Sequence, residues 1–327
     1  MRWYFNRRVS ALLLWVIVPL SGCGGTQVFD PNQDLRQIEF EWKSTLQREH
    51  PLVNRIWSSA KGAFVTPQDL LGSLRASRVM LLGERHDQPD HHQIQAWVVE
   101  RLEPGALIGF EMLDEADRPR LLGVQDAKTL ARKTRWADSG WPDFAIYQPV
   151  FEALYKGGHT PVAIHPLRSR IRSLMTEPSS QQAVMTGKEN TISAAGLGTL
   201  KADIETAHCG HASPDMVEAM VRAQRFKDRF MSTQLEMAAK GRQVVVITGN
   251  GHVRKDYGMP NYLTESSQSV GILEVDSKRL LPTDYQHGAY DFIWFTPRVD
   301  DLDACAKFRR ALEKMRRRSV QSKGTSQ

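Results

Sequence analysis

The sequence predicts an α/β fold, a mostly parallel sheet flanked by helices with a smaller helical subdomain, and three observations predict it. Short apolar runs alternate along the chain with stretches of helical periodicity. The connections between those runs are long enough for parallel, right-handed crossovers. Two Gly-x-x-His segments, Gly83-Glu84-Arg85-His86 and Gly249-Asn250-Gly251-His252, each directly follow an apolar run. That arrangement puts two histidines and a glutamate at strand tips, where such folds bind ligands.

Residues 1–22 are set apart as an export signal. Arg2, Arg7 and Arg8 precede an apolar run from Val9 to Leu20 that is too short to span a bilayer and long enough for a signal core. Leu20-Ser21-Gly22-Cys23 resembles the bacterial lipoprotein processing box, which implies cleavage before Cys23 and lipidation of its thiol. Several acyl chains at ~0.8 kcal/mol per buried methylene would make that anchor durable. The expected location is therefore outside the cytoplasm, on the outer membrane facing the periplasm or cell surface. Residues 23–45 read as a tether, 46–305 as the folded domain and 306–327 as a basic tail.

Within the domain, Thr66-Pro67-Gln68-Asp69 starts a helix that runs toward Ala76, with a capping hydroxyl and Pro in the first turn. Val79-Met80-Leu81-Leu82 is a short buried strand. Asp90 is expected to cap the next helix, in which Ile94, Trp97, Val98 and Leu102 recur at helical spacing until Pro104-Gly105. Ala106 to Phe110 forms the following strand. This completes a β-α-β unit and brings Gly83-Glu84 and Glu111 out at the same sheet edge. Further strands are expected over 161–164, 244–247 and 270–275. A mostly helical excursion fills about 170–240, ending in one long amphipathic helix from Pro214 to Lys240 with Gly241 as its stop.

The chain carries +6, but the signal contributes +3 and the segment from Lys307 to Gln327 contributes +7, leaving −4 for the body from Cys23 to Ala306. A mildly acidic body with a basic tail argues against a nucleic-acid partner. With Cys23 assigned to a lipid, Cys209 and Cys305 remain as a disulfide pair in an oxidising compartment. Two alternatives stand beside that pairing. His208-Cys209-Gly210-His211 has thiolate and imidazole groups suited to zinc, and both thiols are otherwise free. His91 and His92 lie in the first turn of a helix, whose dipole disfavours imidazolium, so surface positions or neutral hydrogen-bonding roles are expected. His159, after Gly157-Gly158, is expected to be exposed.

The run Leu81-Leu82-Gly83-Glu84-Arg85-His86-Asp87, with His91-His92 and Gln95, resembles the signature of the ChaN family of iron-regulated, haem-binding lipoproteins, within the Tiki and erythromycin-esterase-like superfamily. Later segments agree in order: Phe110-Glu111-Met112, Ser139-Gly140-Trp141-Pro142-Asp143-Phe144 with Tyr147, the His208–His211 segment with Ala223-Gln224, Gly249 to Arg254, and Tyr290 to Pro297 with Cys305. The resemblance covers about 75 to 305. It departs at Ala163-Ile164-His165-Pro166-Leu167-Arg168, where an Asn and a Pro-Arg pair are expected.

The resemblance implies haem as cofactor or cargo, a homodimer, and a phenolate iron ligand with a histidine near the propionates. Tyr147, Tyr155, Tyr257 and Tyr262 are the candidate phenols, with Tyr147 in a matched motif. Trp136, Trp141 and Phe144 either line a porphyrin-sized slot or belong to the core. A second class is hydrolytic: Glu84, His86, Glu111 and His252 resemble the glutamate and paired Gly-x-x-His elements of the metalloprotease and esterase branches. In that reading Glu84, His86 and His252 hold a divalent metal ion, or a histidine activates water without one.

Overall fold

Eight strands among the described residues form one sheet: β1 (Ile56–Ser58), β2 (Ala63–Val65), β3 (Val79–Glu84), β4 (Leu107–Asp114), β5 (Thr160–His165), β6 (Val244–Gly249), β7 (Ser267–Glu274) and β8 (Phe292–Thr296). Their order is β2-β1-β8-β7-β3-β6-β4-β5, parallel from β8 to β5 and antiparallel only around β1. The expected strands are all present. The three-residue strands β1 and β2 are too short for a periodic signal in the sequence. This computed structural model describes residues 38–176, 192–303, 305, 306, 309, 310 and 313. Cys23, the signal and most of the basic tail lie outside the described residues.

The central strands are buried along their whole length, as strands covered by helices on both faces must be. Because successive side chains alternate, Met80 and Leu82 of β3 point to one face while Val79 and Leu81 point to the other. On the first face lie helices α1 (Pro67–Ala76), α2 (Pro89–Val99), α3 (Ala127–Lys133) and α4 (Phe144–Lys156), whose Leu70, Ile94, Val98, Leu130 and Phe151 join the core. Each such side chain stabilises the fold by about 1.5–3 kcal/mol on burial. α5 (Arg168–Thr176) and α6 (Ala194–Ala207) follow, and α7 (Pro214–Ala239) covers the second face through Met231 and Leu235.

The helices from α5 to α7 fill the expected helical stretch at about 170–240, and the C-terminal half of α7 packs into the sheet's own core through Met231 and Leu235. Only the first half of α7, with α6 and Tyr257 and Tyr262, forms a separate apolar cluster.

Local signals were followed closely at α1, where Thr66 and Asp69 form a reciprocal capping box. At α2 the cap is Gln88 rather than Asp90. The Asp90 carboxylate instead accepts from the backbone N–H groups of Lys43 (2.6 Å) and Ser44 (3.0 Å). Residues 38–45, the described part of the expected tether, pack on the domain, where Phe40 meets Trp294 edge-on at 5.8 Å. Cys209 and Cys305 form a disulfide with Cα atoms 5.5 Å apart, which removes the thiolate from the zinc alternative at His208–His211.

Candidate functional site

The two Gly-x-x-His segments meet because β3 and β6 are parallel neighbours in which Glu84 pairs with Gly249. After β3 the chain passes to α2 on the first face; after β6 it turns onto the second, where Val253 and Met259 pack. Neighbouring parallel strands whose connections part to opposite faces leave a crevice at their C-terminal tips. The glycines allow the tips to close. A Cβ on Gly83 would collide with the Asn250 side chain, and one on Gly249 would lie 3.2 Å from His86 Nε2. Glu111, at the tip of β4 on the far side of β6, completes the arrangement.

The inner half of the site is organised by the Glu84 carboxylate. Its Oε1 accepts from the Tyr147 hydroxyl at 2.7 Å and lies 2.7 Å from His86 Nδ1; its Oε2 accepts from Gln95 Nε2 at 2.9 Å and lies 3.3 Å from His92 Nδ1. His92 also places Nδ1 3.0 Å from Gln95 Oε1 and Nε2 3.1 Å from the His86 carbonyl oxygen. Both of its nitrogens thus face acceptors, the environment of an imidazolium. Burial alone would lower the His92 pKa, but the Glu84 charge outweighs it and the pKa is raised. Burial acts on Glu84 in the opposite sense, and His92 and His86 together hold its carboxyl well below the usual range.

His91 and His92 are therefore not surface residues, since both are buried. The helix-dipole argument is overridden at His92 by a carboxylate in contact with it. His91 does take the neutral role: its Nδ1 accepts from the Arg85 N–H at 2.9 Å, and burial and then the neighbouring His92 hold its pKa well below normal. His159 is likewise buried rather than exposed, with Nε2 3.2 Å from the Val99 carbonyl oxygen.

The second half is a carboxylate–imidazole–carboxylate chain. Glu111 Oε2 accepts from Thr248 Oγ1 at 2.6 Å and from the Gly249 N–H at 2.9 Å, while its Oε1 lies 3.2 Å from His252 Nε2. His252 Nδ1 bonds to Asp228 on α7, and Lys227 Nζ stands 3.5 Å from Nε2. Burial alone would depress His252, yet Glu111 and Asp228 raise its pKa to about 9. His86 connects the halves, with Nε2 3.8 Å from Glu111 Oε2. Its side chain is 32% exposed, against 0–5% for Glu84, Glu111 and His252. Trp141 meets the His86 ring edge-on at 4.8 Å.

The charged His252 carries a pH dependence. A folded pKa of about 9 against the ordinary 6.5 means that the native state holds this proton more tightly than the unfolded chain. The resulting stability, on the order of 3 kcal/mol, is fully present below pH ~6.5 and disappears as pH rises through the folded value. Urea unfolding from pH 7 to 10 is expected to show this decline in the wild type and a flatter profile in His252→Gln. Identical slopes would assign the decline to other groups.

The structure thus brings Glu84, His86, Glu111 and His252 together as expected and adds His92, Gln95, Thr248, Lys227 and Asp228. Tyr147 reaches the site as a hydrogen-bond donor. It is 0% exposed, and burial followed by the Glu84 charge pushes its phenol pKa far up, the opposite of what a tyrosinate ligand needs. Trp136 lies in the core and half-buried Phe144 packs on it and on Phe151, whereas Trp141 meets the His86 ring. A divalent metal ion is not supported: among the described residues no group of three His, Cys, Asp or Glu side chains is placed to hold one.

A solved structure described as cofacial haem binding to ChaN of Campylobacter jejuni shares the fold, with a TM-score of 0.61 at 19% identity over 73% of this chain and 95% of that one. An erythromycin esterase mutant in its open conformation is matched at 14% identity over 64% of this chain and 73% of that one, with a TM-score of 0.38, too low to carry an argument. A search of curated proteins finds no match. The family model described as haem-binding uptake, Tiki superfamily, ChaN matches residues 70–263, and the chain belongs to that family.

Proposed function

We propose that this chain is a lipid-anchored haem-binding protein that handles haem or iron outside the cytoplasm. The observation that carries the reading is His86, whose Nδ1 is fixed on the buried Glu84 while its ring reaches solvent beside Trp141. A carboxylate on one imidazole nitrogen strengthens the other as a donor to iron, and an indole supplies the apolar wall a porphyrin face requires. Membership of a haem-binding uptake family supports the same ligand. Haem is the cargo in this reading, His86 would hold its iron, and a second copy of the chain would be the partner that covers the open face. Attachment through Cys23 would keep the site at the membrane, on the outer membrane facing the periplasm or cell surface.

The test is a ferric-haem titration of the soluble chain starting at Gly24, followed by absorbance. Saturable binding is expected, with affinity reduced at least ~10-fold in His86→Ala, a loss of about 1.4 kcal/mol. Tyr147→Phe is expected to leave the spectrum unchanged; loss of the bound spectrum in that variant alone would move the ligand to the phenol. Absence of saturable binding at micromolar protein would reject the haem reading.

A hydrolytic reading has one observation in its favour. With Nδ1 committed to Glu84, His86 Nε2 is left to take a proton from water, 3.8 Å from Glu111 Oε2. Turnover of ester substrates that disappears in Glu84→Gln and His252→Ala would support it.

A further inference from the structure

Beside the acid–imidazole centre lies a cavity of about 350 Å³, open to solvent and lined by Glu111, Trp141 and His165 among others. Arg120, Arg135 and Arg168 also line it, together with Asp114, Asp117 and Asp138. Trp141 belongs to both spaces: its ring is 4.8 Å from that of His86 and 6.3 Å from that of His165, edge-on to each. A flat ligand resting on Trp141 and reaching His86 therefore has this cavity next to its edge.

The charges around the cavity are not equally engaged. Arg120 pairs with Asp117 at 2.8 Å, Arg135 pairs with Asp138 at 3.0 Å, and Glu111 faces the His252 imidazolium. Asp114 caps the following helical turn by accepting from the Ala116 N–H at 2.8 Å. Arg168 differs, because its guanidinium donates to the Ser139 carbonyl oxygen and has no carboxylate within pairing distance among the described residues. Gly140 leaves room for it: a Cβ there would stand 3.4 Å from Arg168 Nη2, and the left-handed φ of +80° suits glycine. The loop that carries Trp141 is thus shaped around an arginine with unused donors. His165 adds a buried imidazole with no positive charge of its own, its pKa lowered to about 4 chiefly by burial.

We propose that this cavity receives a carboxylate of the ligand that engages His86, with Arg168 as its principal partner. The inference rests on the haem reading and makes it more specific, since the carboxylate is then a propionate. A planar guanidinium presents paired donors that match the two oxygens of a carboxylate, and Arg168, although exposed, is held at the cavity by its bond to the Ser139 carbonyl oxygen. Arg168 acts as a binding residue and, through Ser139, positions Trp141.

Haem and haem dimethyl ester, whose propionates are uncharged, separate this inference from the reading beneath it. The wild-type chain is expected to bind haem at least ~10-fold more tightly than the diester, and Arg168→Gln is expected to bind the two alike while retaining the wild-type affinity for the diester. Equal wild-type affinity for both forms would overturn the carboxylate site and leave haem binding standing. A full preference for haem in Arg168→Gln would also overturn it, and Arg168→Lys, which keeps the charge and loses the fork, is expected to recover only part of the preference. Failure of the wild type to bind either form would sink both readings together.

Discussion

Glu84→Ala is expected to lower the unfolding free energy by about 3–5 kcal/mol, the range for removing one partner of a buried ion pair. The size follows from what is left behind. Without the carboxylate, the His92 imidazolium has no counter-charge in contact with it, and Tyr147, Gln95 and His86 each lose an acceptor. Glu84→Gln keeps the shape and one carbonyl acceptor, so it is expected to fall between the wild type and alanine. The His92 pKa, followed by imidazole NMR, should drop in both variants because burial is then opposed only by the neutral Gln95 and His86 acceptors. A loss below 1 kcal/mol for Glu84→Ala would show that the pair contributes no more than an exposed one.

Opening the Cys209–Cys305 bridge is expected to have a comparable or larger effect. Its partners are 96 residues apart in sequence, and closing a loop of that length reduces the entropy of the unfolded chain by about 4–5 kcal/mol in the chain-entropy model. The bridge ties the turn between α6 and α7 to the segment after β8. Urea unfolding of Cys209→Ser, or of the wild type with and without reductant, measures the difference, and the double variant with Cys305→Ser excludes effects of a lone thiol. Equal midpoints in oxidised and reduced protein would mean that the unfolded chain is already restricted there.

The sequence made the centre of this fold legible for physical reasons that can be named. The strands beneath the site are buried on both faces, so they appear as unbroken apolar runs, and the two Gly-x-x-His segments mark the tips because only glycine lets them approach. Asp228 was not singled out, although a signal exists. Val217, Val221, Gln224, Asp228, Met231 and Leu235 recur at spacings of three and four along α7, so two polar residues occupy a stripe that should be apolar. Both face His252: Asp228 is fully buried, and half-buried Gln224 places Nε2 3.0 Å from His252 Nδ1. The misplacement of His91 and His92 has a different origin. A helix dipole can be read from local sequence, whereas contact with Glu84 depends on the tertiary arrangement of β3 and α2.

The position of β6 has a kinetic consequence. It lies between β3 and β4 in the sheet, yet it is made after both of them, beyond the whole stretch from β5 to α7. In a chain folding from its N-terminal side, β3 and β4, which carry Glu84 and Glu111, are therefore available before the strand that separates them. Central insertion of a late strand is a long-range event and slow relative to helix formation. The backbone donor at Gly249 and the His252 charge arrive only with that insertion, so the acid–imidazole centre is completed at the end of folding.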